Sequence, residues 1–304
     1  MEPFRVHILG CGSALPTLRH FPSAQVVEVR GKCFLVDCGE GTQIQLRRSR
    51  VRFTKVSAVF ISHLHGDHCL GLTGMLSTFG LLGRKSRLAV YAPPELEPVL
   101  KLEMAQYCNG LEYDVDFCAV DTTRHAVIYE DRSLTVETIP LEHRVSCCGF
   151  LFREKPTQAH IRRDMADFYG IPVSQFGRIK GGADGVTPDG EAVPNCRLTV
   201  PADPPRAYAY CSDTRYIPTL HEQLQGVTTL YHESTYGEDN LPLAEKYYHS
   251  TARQAAMVAR EAGVSQLLLG HYSSRYDDEE ILLQEARKEF PNSRLAEELA
   301  VFDV

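Results

Sequence analysis

The stretch Ser62-His63-Leu64-His65-Gly66-Asp67-His68 comes directly after an apolar run at 58–61. That run predicts a strand that is buried on both faces. Three imidazoles and a carboxylate therefore fall within six residues at a strand end, where a turn can aim them at one point. Clustered histidine is uncommon without a metal. Nitrogen and oxygen ligands without cysteine suit a catalytic zinc site that keeps one position open for water.

One such cluster cannot complete the ligand sets of two metal ions, so further His and Asp residues are expected at other strand ends. Three residues follow apolar runs in this way: His143, Asp213 and His271. Taken singly, each would more often be an ordinary surface or capping residue. Their shared position just past a predicted strand favours a role at the same site.

Strands and helices alternate along the chain, which indicates a layered α/β architecture. The predicted strands are 5–9, 23–29, 33–36, 58–61, 88–91, 134–139, 207–210, 229–232 and 266–270. The predicted helices are 42–50, 64–79, 94–107, 251–262 and 279–290. Between the two halves, a segment at about 154–205 is rich in glycine, proline and charge, and predicts a protruding arm or a long functional loop.

The composition excludes several classes of protein. Of 304 residues, 43% are hydrophobic and 23% are charged, which is typical of a folded globular chain. No stretch approaches the ~20 apolar residues of a membrane span, and no signal-like start is visible, so we expect a cytoplasmic protein without a membrane segment. Ten cysteines are scattered without a Cys-x-x-Cys pair, which argues against both a disulfide framework and a thiolate zinc site.

The net charge of −7 argues against a protein that coats nucleic acid by overall attraction. A polyanionic substrate must therefore be bound locally. Two basic stretches could do this, one at 47–55 and one at 153–180. For each stretch a merely solvated face remains the alternative.

The histidine and aspartate positions resemble the motifs of the metallo-β-lactamase superfamily. Residues 34–41 are similar to its first motif and residues 62–68 to its second. Within the superfamily the chain resembles the ribonuclease Z branch, through motifs that span nearly its whole length: Asp37-Cys38-Gly39-Glu40-Gly41-Thr42-Gln43, Ser212-Asp213-Thr214-Arg215, His232-Glu233-Ser234-Thr235-Tyr236, His249-Ser250-Thr251 and Gly270-His271-Tyr272-Ser273-Ser274-Arg275-Tyr276. The resemblance implies an α/β fold, an αββα sandwich forming a single domain over 1–304, with a flexible tRNA-binding arm inserted at about 154–205.

The same resemblance implies two zinc ions per chain. One would be bound by His63, His65 and His143, and the other by Asp67, His68 and His271. Asp213 would bridge the two ions, and Asp67 would also count among the catalytic residues. In a two-metal hydrolase the ions supply the nucleophile and stabilise the charge that develops on the phosphate. Asp37 is implied to support the ligands from a glycine-rich turn without binding metal.

Other side chains are implied to act on the substrate. Glu233 and His249 would donate a proton to the leaving 3′ oxygen, although a structural role in fixing Asp213 is the alternative. Arg275 and Ser273, beside His271, are candidates for binding phosphate, because Arg has a planar, bidentate donor fork. Plain solvent exposure is the alternative for these two residues.

The implied activity is cleavage of precursor tRNA at the 3′ side of the discriminator nucleotide, by a homodimer. The loop at 16–21 departs from the Pro-x-Lys-x-Arg-Asn pattern of the best-described relatives, and Arg19 could supply a displaced cation there. Lys180, in the predicted arm, could bind the RNA backbone. Two alternatives remain at this stage: a superfamily hydrolase of small molecules, such as a cyclic-nucleotide phosphodiesterase, and a non-catalytic scaffold.

Overall fold

The computed structural model describes residues 2–304. The strands, numbered along the chain, are β1 (Phe4–Gly10), β2 (Ala24–Val29), β3 (Lys32–Val36), β4 (Val56–Phe60), β5 (Leu88–Ala92), β6 (Val115–Ala119), β7 (Val127–Glu130), β8 (Leu134–Pro140), β9 (Cys148–Glu154), β10 (His160–Ile161), β11 (Gly185–Val186), β12 (Ala192–Val193), β13 (Thr199–Val200), β14 (Ala207–Cys211), β15 (Thr229–Glu233), β16 (Gln266–Gly270), β17 (Ser293–Leu295) and β18 (Val301–Asp303).

The helices are α1 (Thr42–Arg48), α2 (Gly66–Cys69), α3 (Leu72–Leu81), α4 (Leu96–Tyr107), α5 (Arg163–Phe168), α6 (Phe176–Lys180), α7 (Asn195–Leu198), α8 (Leu220–Gln223), α9 (Leu241–Tyr247), α10 (Ala252–Ala262) and α11 (Glu280–Arg287). Short 3₁₀ turns lie at Phe53–Lys55, Val173–Gln175 and Glu238–Asn240. None of the helices within residues 2–304 has the length and apolar character needed to cross a membrane.

The chain divides into two units, one formed by Glu2–Arg153 with Arg206–Val304 and the other by Glu154–Pro205. The first unit contains two seven-stranded sheets, in the orders β18-β1-β2-β3-β4-β5-β6 and β17-β16-β15-β14-β9-β8-β7. Neighbouring strands are parallel from β3 to β6 and from β14 to β17. The carboxyl ends of each parallel set therefore meet at one edge of its sheet.

The two sheets pack face to face because alternate side chains of each strand enter a shared core. The rings of Phe34 and Phe152 lie 5.7 Å apart across this core, and those of Phe60 and Phe150 lie 5.4 Å apart. On the outer face of the first sheet, α1, α3 and α4 bury a second apolar cluster. Helix α10 buries its alanine-rich face against the second sheet. The predicted αββα sandwich is confirmed.

The prediction of one helix over 64–79 was wrong at its start. Residues 64–65 belong to a loop, α2 covers one turn, and α3 begins only after Gly71. A side chain at Gly71 would place its Cβ 2.0 Å from the carbonyl oxygen of Gly39. The backbone at Gly71 therefore packs directly against the loop that follows β3. The apolar spacing of 64–79 gives no sign of this contact.

The unit Glu154–Pro205 has secondary structure of its own. It contains two small antiparallel pairs, β10 with β13 and β11 with β12, and the short helices α5, α6 and α7. Five apolar side chains form its core: Ala166, Ile171, Ile179, Val193 and Leu198. The segment is a small folded element rather than a structureless loop.

Candidate metal centre and active site

Residues at the carboxyl ends of six strands converge at one edge of the two sheets. They follow β3, β4, β8, β14, β15 and β16, which is where ligands bind in sheets with parallel strands. Three of them, Asp37, Asp213 and His271, have positive φ angles of 54°, 54° and 59°. Non-glycine residues seldom adopt this conformation, and such strained backbone is concentrated at functional sites. The strands before these three residues thus end in sharp turns, which place Asp213 and His271 in the site and Asp37 beneath it.

Three imidazole nitrogens form one group. His63 Nε2 lies 3.2 Å from His65 Nδ1, and His143 Nε2 also lies 3.2 Å from His65 Nδ1. The three rings lie edge-on or nearly so to one another. Three nitrogen lone pairs directed at one point form the nitrogen side of a tetrahedral metal site.

Two histidines and a carboxylate form a second group. His68 Nε2 lies 3.3 Å from His271 Nε2, and Oδ2 of Asp67 lies 3.5 Å from both nitrogens. The backbone N–H of Ala14 also donates to Asp67 Oδ2 at 2.8 Å. This contact fixes the orientation of the carboxylate toward the two imidazoles.

Asp213 lies between the two groups, with one carboxylate oxygen toward each. Its Oδ1 lies 3.1 Å from His68 Nε2 and 3.0 Å from His271 Nε2. Its Oδ2 lies 3.5 Å from His63 Nε2 and 3.6 Å from His143 Nε2. The residue is buried, so both oxygens depend on these neighbours. A single carboxylate placed in this way could bridge two metal ions.

Four of the five imidazoles bond outward through the nitrogen that faces away from the site. Nδ1 of His68 donates to Asp37 at 2.7 Å and Nδ1 of His143 donates to the carbonyl of Tyr248 at 2.9 Å. The other two Nδ1 atoms contact hydroxyl groups. Nδ1 of His63 lies 3.0 Å from the hydroxyl of Ser62, and Nδ1 of His271 lies 2.9 Å from the hydroxyl of Thr235. Such bonds fix the tautomer that leaves Nε2 free for a metal.

Asp37 lies beneath the second group and is completely buried. Its carboxylate accepts hydrogen bonds from the backbone N–H and the hydroxyl of Ser62, at 2.7 and 2.9 Å, and from the hydroxyl of Tyr210 at 2.7 Å. With His68 this makes four donors. Asp37 has no free oxygen directed at the cluster and acts as an anchor for the ligands.

Burial and neighbouring charges shift the pKa values of the site residues in different directions. Burial, with His63 and His143 close by, lowers the pKa of His65 to about 4, so this ring is neutral at neutral pH. Burial opposes charge on His68 as well, but the carboxylates of Asp213, Asp37 and Asp67 outweigh it and raise that pKa well above its usual value. The buried carboxylate of Asp213 has a pKa held well below its usual range, because His271, His68 and His63 outweigh the effect of its burial.

Glu233 and His249 form a pair beside this cluster. Nδ1 of His249 donates to Glu233 Oε1 at 2.9 Å. The buried carboxylate also accepts from the N–H of Thr214 at 2.6 Å and from the hydroxyl of Thr235 at 2.5 Å. Burial alone would lower the pKa of His249, but Glu233 outweighs it and raises that pKa to about 9.

Several known proteins are similar to this chain over nearly its whole length. Ribonuclease Z of Bacteroides fragilis (strain YCH46) is 57% identical over 298 residues, which cover 98% of this chain and 98% of that protein. The chain belongs to the ribonuclease Z family. Ribonuclease Z of Porphyromonas gingivalis is 47% identical over 304 residues and covers 100% of both chains. The family predicted from the motifs is confirmed.

A family model and a solved structure add two further similarities. A family model described as anti-Pycsar protein Apyc1 matches residues 4–165. That range includes the His63–His68 cluster and His143 but ends before Asp213, whereas the ribonuclease Z alignment with the Porphyromonas protein runs through it. The crystal structure of the human short-form tRNase Z has a TM-score of 0.69 and 24% identity, and covers 98% of each chain, which supports the same fold.

In this member of the ribonuclease Z family, the site opens into a cavity of about 310 Å³. His65, Asp67, His143, Asp213, His249 and His271 line it, and Arg144 is the one Arg or Lys among the described residues of its lining. The sequence does not single out Arg144, since it is one exposed Arg among many and its place follows only from its neighbour His143.

The residues predicted to bind substrate lie elsewhere. None of Arg19, Ser273 and Arg275 is among the described residues that line the cavity. Arg275 is exposed beside the hydroxyl of Tyr236, and Ser273 is half-buried. Arg19 donates to the backbone carbonyls of Tyr276 and Asp277 and pairs with Glu279 at 3.3 Å. Lys180 is exposed at the end of α6, within the unit Glu154–Pro205.

Proposed function

We propose that the protein is a metal-dependent endoribonuclease that cleaves precursor tRNA at the 3′ side of the discriminator nucleotide. The tRNA would keep a 3′-hydroxyl and the trailer would carry a 5′-phosphate. The observation that carries this proposal is the identity of 47% to 57%, over the full chain, to proteins named ribonuclease Z. The arrangement of Asp213, with one oxygen toward each histidine group, supports phosphodiester hydrolysis as the chemistry.

We propose two zinc ions as the cofactor. His63, His65 and His143 would hold one, Asp67, His68 and His271 the other, and Asp213 would bridge them. Neutral imidazole and carboxylate are ligands that suit zinc. The ligand atoms of each group lie within 4.8 Å of one another, which is close enough for one ion to bind them all. When bound, two zinc ions would lower the pKa of a water molecule and stabilise charge on the phosphate.

We propose that His249 donates a proton to the leaving group. Cleavage breaks the bond between phosphorus and the 3′ oxygen of the discriminator nucleotide, and that oxygen needs a proton as it leaves. His249 lines the cavity and its Nδ1 is bound to Glu233, which leaves Nε2 for the substrate side. Glu233 would hold the ring in this orientation and favour its charged form.

Phosphate groups beside the scissile bond would meet Arg275 and Ser273, which follow His271 directly in the sequence. Arg275 is exposed and Ser273 is half-buried, so both could contact an RNA strand that lies across the cavity mouth. Arg19 is bonded to two backbone carbonyls and paired with Glu279, so we propose that it orders the loop at 16–21 and contributes positive charge beside the RNA. Lys180 would contribute to binding from the unit Glu154–Pro205, which we propose to be a tRNA-binding arm.

We further propose that the protein acts as a homodimer in the cytoplasm. Exposed apolar side chains lie at the end of α3 and on α4: Leu81, Leu82, Val99, Leu102 and Tyr107. Apolar groups of this kind on one pair of helices favour contact with a second copy. Sedimentation of the wild type and of a Val99→Asp, Leu102→Asp variant tests the surface, with a shift to monomer as the expected result.

The function is tested by cleavage of precursor tRNAs with and without an encoded CCA end. The cut should map to the 3′ side of the discriminator nucleotide, with a 3′-hydroxyl on the tRNA and a 5′-phosphate on the trailer. Bis(p-nitrophenyl) phosphate serves as a small substrate in parallel. Rapid hydrolysis of small phosphodiesters with no cleavage of precursor tRNA would instead support a small-molecule phosphodiesterase.

A further inference from the structure

Five basic side chains lie close together in sequence outside the catalytic cavity: Arg47, Arg48, Arg50, Arg52 and Lys55. We call them the basic ledge. No Asp or Glu occurs between Glu40 and Asp67, although the chain as a whole carries a net charge of −7. All five side chains are exposed. The ledge is therefore a local positive surface on an acidic protein.

The local structure turns these side chains outward. Helix α1 ends at Arg48, and the chain then continues with basic and apolar residues in alternation. Val51 and Phe53 point inward to the cluster under the first sheet, where the ring of Phe53 packs edge-on against Phe79 at 5.7 Å. Because the apolar residues anchor one side of the segment, Arg50 and Arg52 face solvent on the other.

The cations of the ledge have no carboxylate partner. Within residues 2–304, no ion pair forms at Arg47, Arg48, Arg50, Arg52 or Lys55, and Arg48 donates only to the side chain of Gln45, at 3.1 Å. Several exposed cations of the same unit are paired instead, for example Arg87 with Asp116 and Arg124 with Asp121. A role in holding the fold together through salt bridges therefore does not account for the ledge.

The ledge also forms one wall of a cleft of about 320 Å³. Arg50, Arg52 and Lys55 line it, and its floor includes His7 and Glu28. Glu28 is the single carboxylate among the described lining residues, and it accepts a hydrogen bond from Nε2 of His7 at 3.2 Å. Three cations against one engaged carboxylate make the cleft suited to an anion such as a phosphate group.

The ledge begins near the rim of the catalytic cavity and leads away from it. Glu40 lines the cavity, α1 starts two residues later, and its seven residues advance by about 10 Å. The guanidinium of Arg48 lies over the ring of Phe21, 6.0 Å from its centre. Strand β1 runs from His7 in the cleft towards Ser13 at the cavity, and six residues of extended chain limit the separation of these two residues to about 20 Å. A few nucleotides of RNA span this distance.

We propose that the basic ledge binds the sugar–phosphate backbone of the RNA substrate outside the catalytic cavity. The proposal rests on the proposed ribonuclease function, and it adds a binding surface on the body of the protein, separate from the unit Glu154–Pro205. Its chemistry is the same for the acceptor strand of the tRNA and for the 3′ trailer, since both present phosphates. The experiment distinguishes the two.

The test compares two triple variants that lose the same charge. The ledge variant carries Arg50→Gln, Arg52→Gln and Lys55→Gln, and the control variant carries Lys85→Gln, Arg87→Gln and Arg124→Gln, which are exposed and ion-paired. Binding of precursor tRNA is measured as a function of salt. The ledge variant should bind at least tenfold more weakly at 0.15 M salt, and its logarithmic salt slope should be shallower by about 2 to 3. The control variant should match the wild type.

Two further measurements complete the test. Thermal unfolding midpoints show whether both variants fold. A separate variant of the wild type with Arg50→Lys and Arg52→Lys should bind like the wild type, because it keeps the positive charge of the ledge. A precursor with a one-nucleotide trailer should lose the ledge effect if the ledge binds the trailer, and keep it if the ledge binds the acceptor strand. Equal affinity and slope for the ledge and control variants would overturn the proposal. Failure of the wild type to cut precursor tRNA would instead overturn the proposed function.

Discussion

The hydroxyl of Thr235 lies 2.9 Å from Nδ1 of His271, and it donates a hydrogen bond to Oε2 of Glu233 at 2.5 Å. One hydroxyl therefore accepts from a residue of the candidate metal centre and donates to the residue that orients His249. The candidate metal ligands and the candidate proton donor are connected through this single side chain. This connection makes Thr235 a positioning residue for both.

Thr235→Val should weaken zinc binding, because it keeps the shape of the side chain but removes the acceptor that fixes the His271 tautomer. We expect the affinity for the zinc ion that His271 would bind to fall by about 10- to 100-fold. Thr235→Ser keeps the hydroxyl and should bind zinc like the wild type. Competition with a chromogenic chelator measures both, and equal affinities for the Val and Ser variants would contradict the role.

Removal of metal should abolish hydrolysis of every phosphodiester, with two zinc equivalents restoring it. His65→Ala removes the nitrogen that lies 3.2 Å from two other imidazoles, so zinc content should fall toward one equivalent and activity by at least about 100-fold. His125→Ala, which changes an exposed imidazole paired with Glu137, should retain two equivalents. A fully active wild-type preparation with one equivalent would contradict a two-metal site.

His249→Ala should slow cleavage of precursor tRNA by roughly 100-fold or more with little loss of zinc. The leaving 3′ oxygen of a ribose needs a proton, whereas p-nitrophenolate leaves without one. Hydrolysis of bis(p-nitrophenyl) phosphate should therefore be much less affected. Equal losses on both substrates would favour a structural role for the Glu233–His249 pair.

The residues that form the candidate metal centre could be found from sequence where the signal is local. His63 to His68 lie on one loop and the helical turn α2 that follow one strand, and the strand-end positions of Asp213 and His271 follow from the apolar runs before them. The motif that contains Thr235 is equally visible. What the motif does not reveal is that its hydroxyl meets His271, 36 residues away in sequence.

Other features depend on contacts that no local pattern encodes. Arg19 bonds to carbonyls that lie 257 and 258 residues further along the chain, so its sequence position near the first strand predicts a free cation where the structure has a bound one. Of the two large sheets, strands β9, β17 and β18 were not predicted, although β9 lies inside its sheet and is almost wholly buried. Strands β6 and β7 were not predicted either, because they lie at the edges of their sheets and are only partly buried. Their apolar alternation is correspondingly weak.

Replacement of the unit Glu154–Pro205 should separate RNA binding from chemistry. Arg153 of β9 and Ala207 of β14 are paired neighbours, so an Asn-Gly turn can join Glu154 to Arg206 in place of 155–205. This removes the whole small core of the unit, whereas a deletion of 162–190 would leave Val193 and Leu198 without their partners.

The shortened protein should retain zinc and hydrolyse bis(p-nitrophenyl) phosphate at close to the wild-type rate. Binding of precursor tRNA should weaken steeply and depend less on salt, because phosphate contacts are lost. A variant with Cys196→Ser, an exposed substitution in the same unit, serves as the matched control. Unchanged cleavage of precursor tRNA by the shortened protein would exclude an RNA-binding arm.

His20 attaches the loop between β1 and β2 to the last part of the chain. Nδ1 of His20 lies 3.1 Å from Glu298 and its Nε2 lies 3.1 Å from Glu279. Both nitrogens can donate only when the ring is protonated. The hydrogen bond to Glu298 outweighs the burial of the ring, and the pKa of His20 is raised above its usual value.

His20→Gln should therefore destabilise the protein more at pH 6 than at pH 9. The charged ring binds two carboxylates in the folded protein, so its contribution is fully present below the unfolded pKa of about 6.5 and is lost as the pH rises through the higher folded value. Urea unfolding of the zinc-loaded proteins should show a difference of roughly 1–2 kcal/mol at pH 6 that shrinks by pH 9. His160→Gln, at an exposed position, should show no such trend. A loss of stability at His20 that is the same at both pH values would mean that packing, rather than charge, holds this loop.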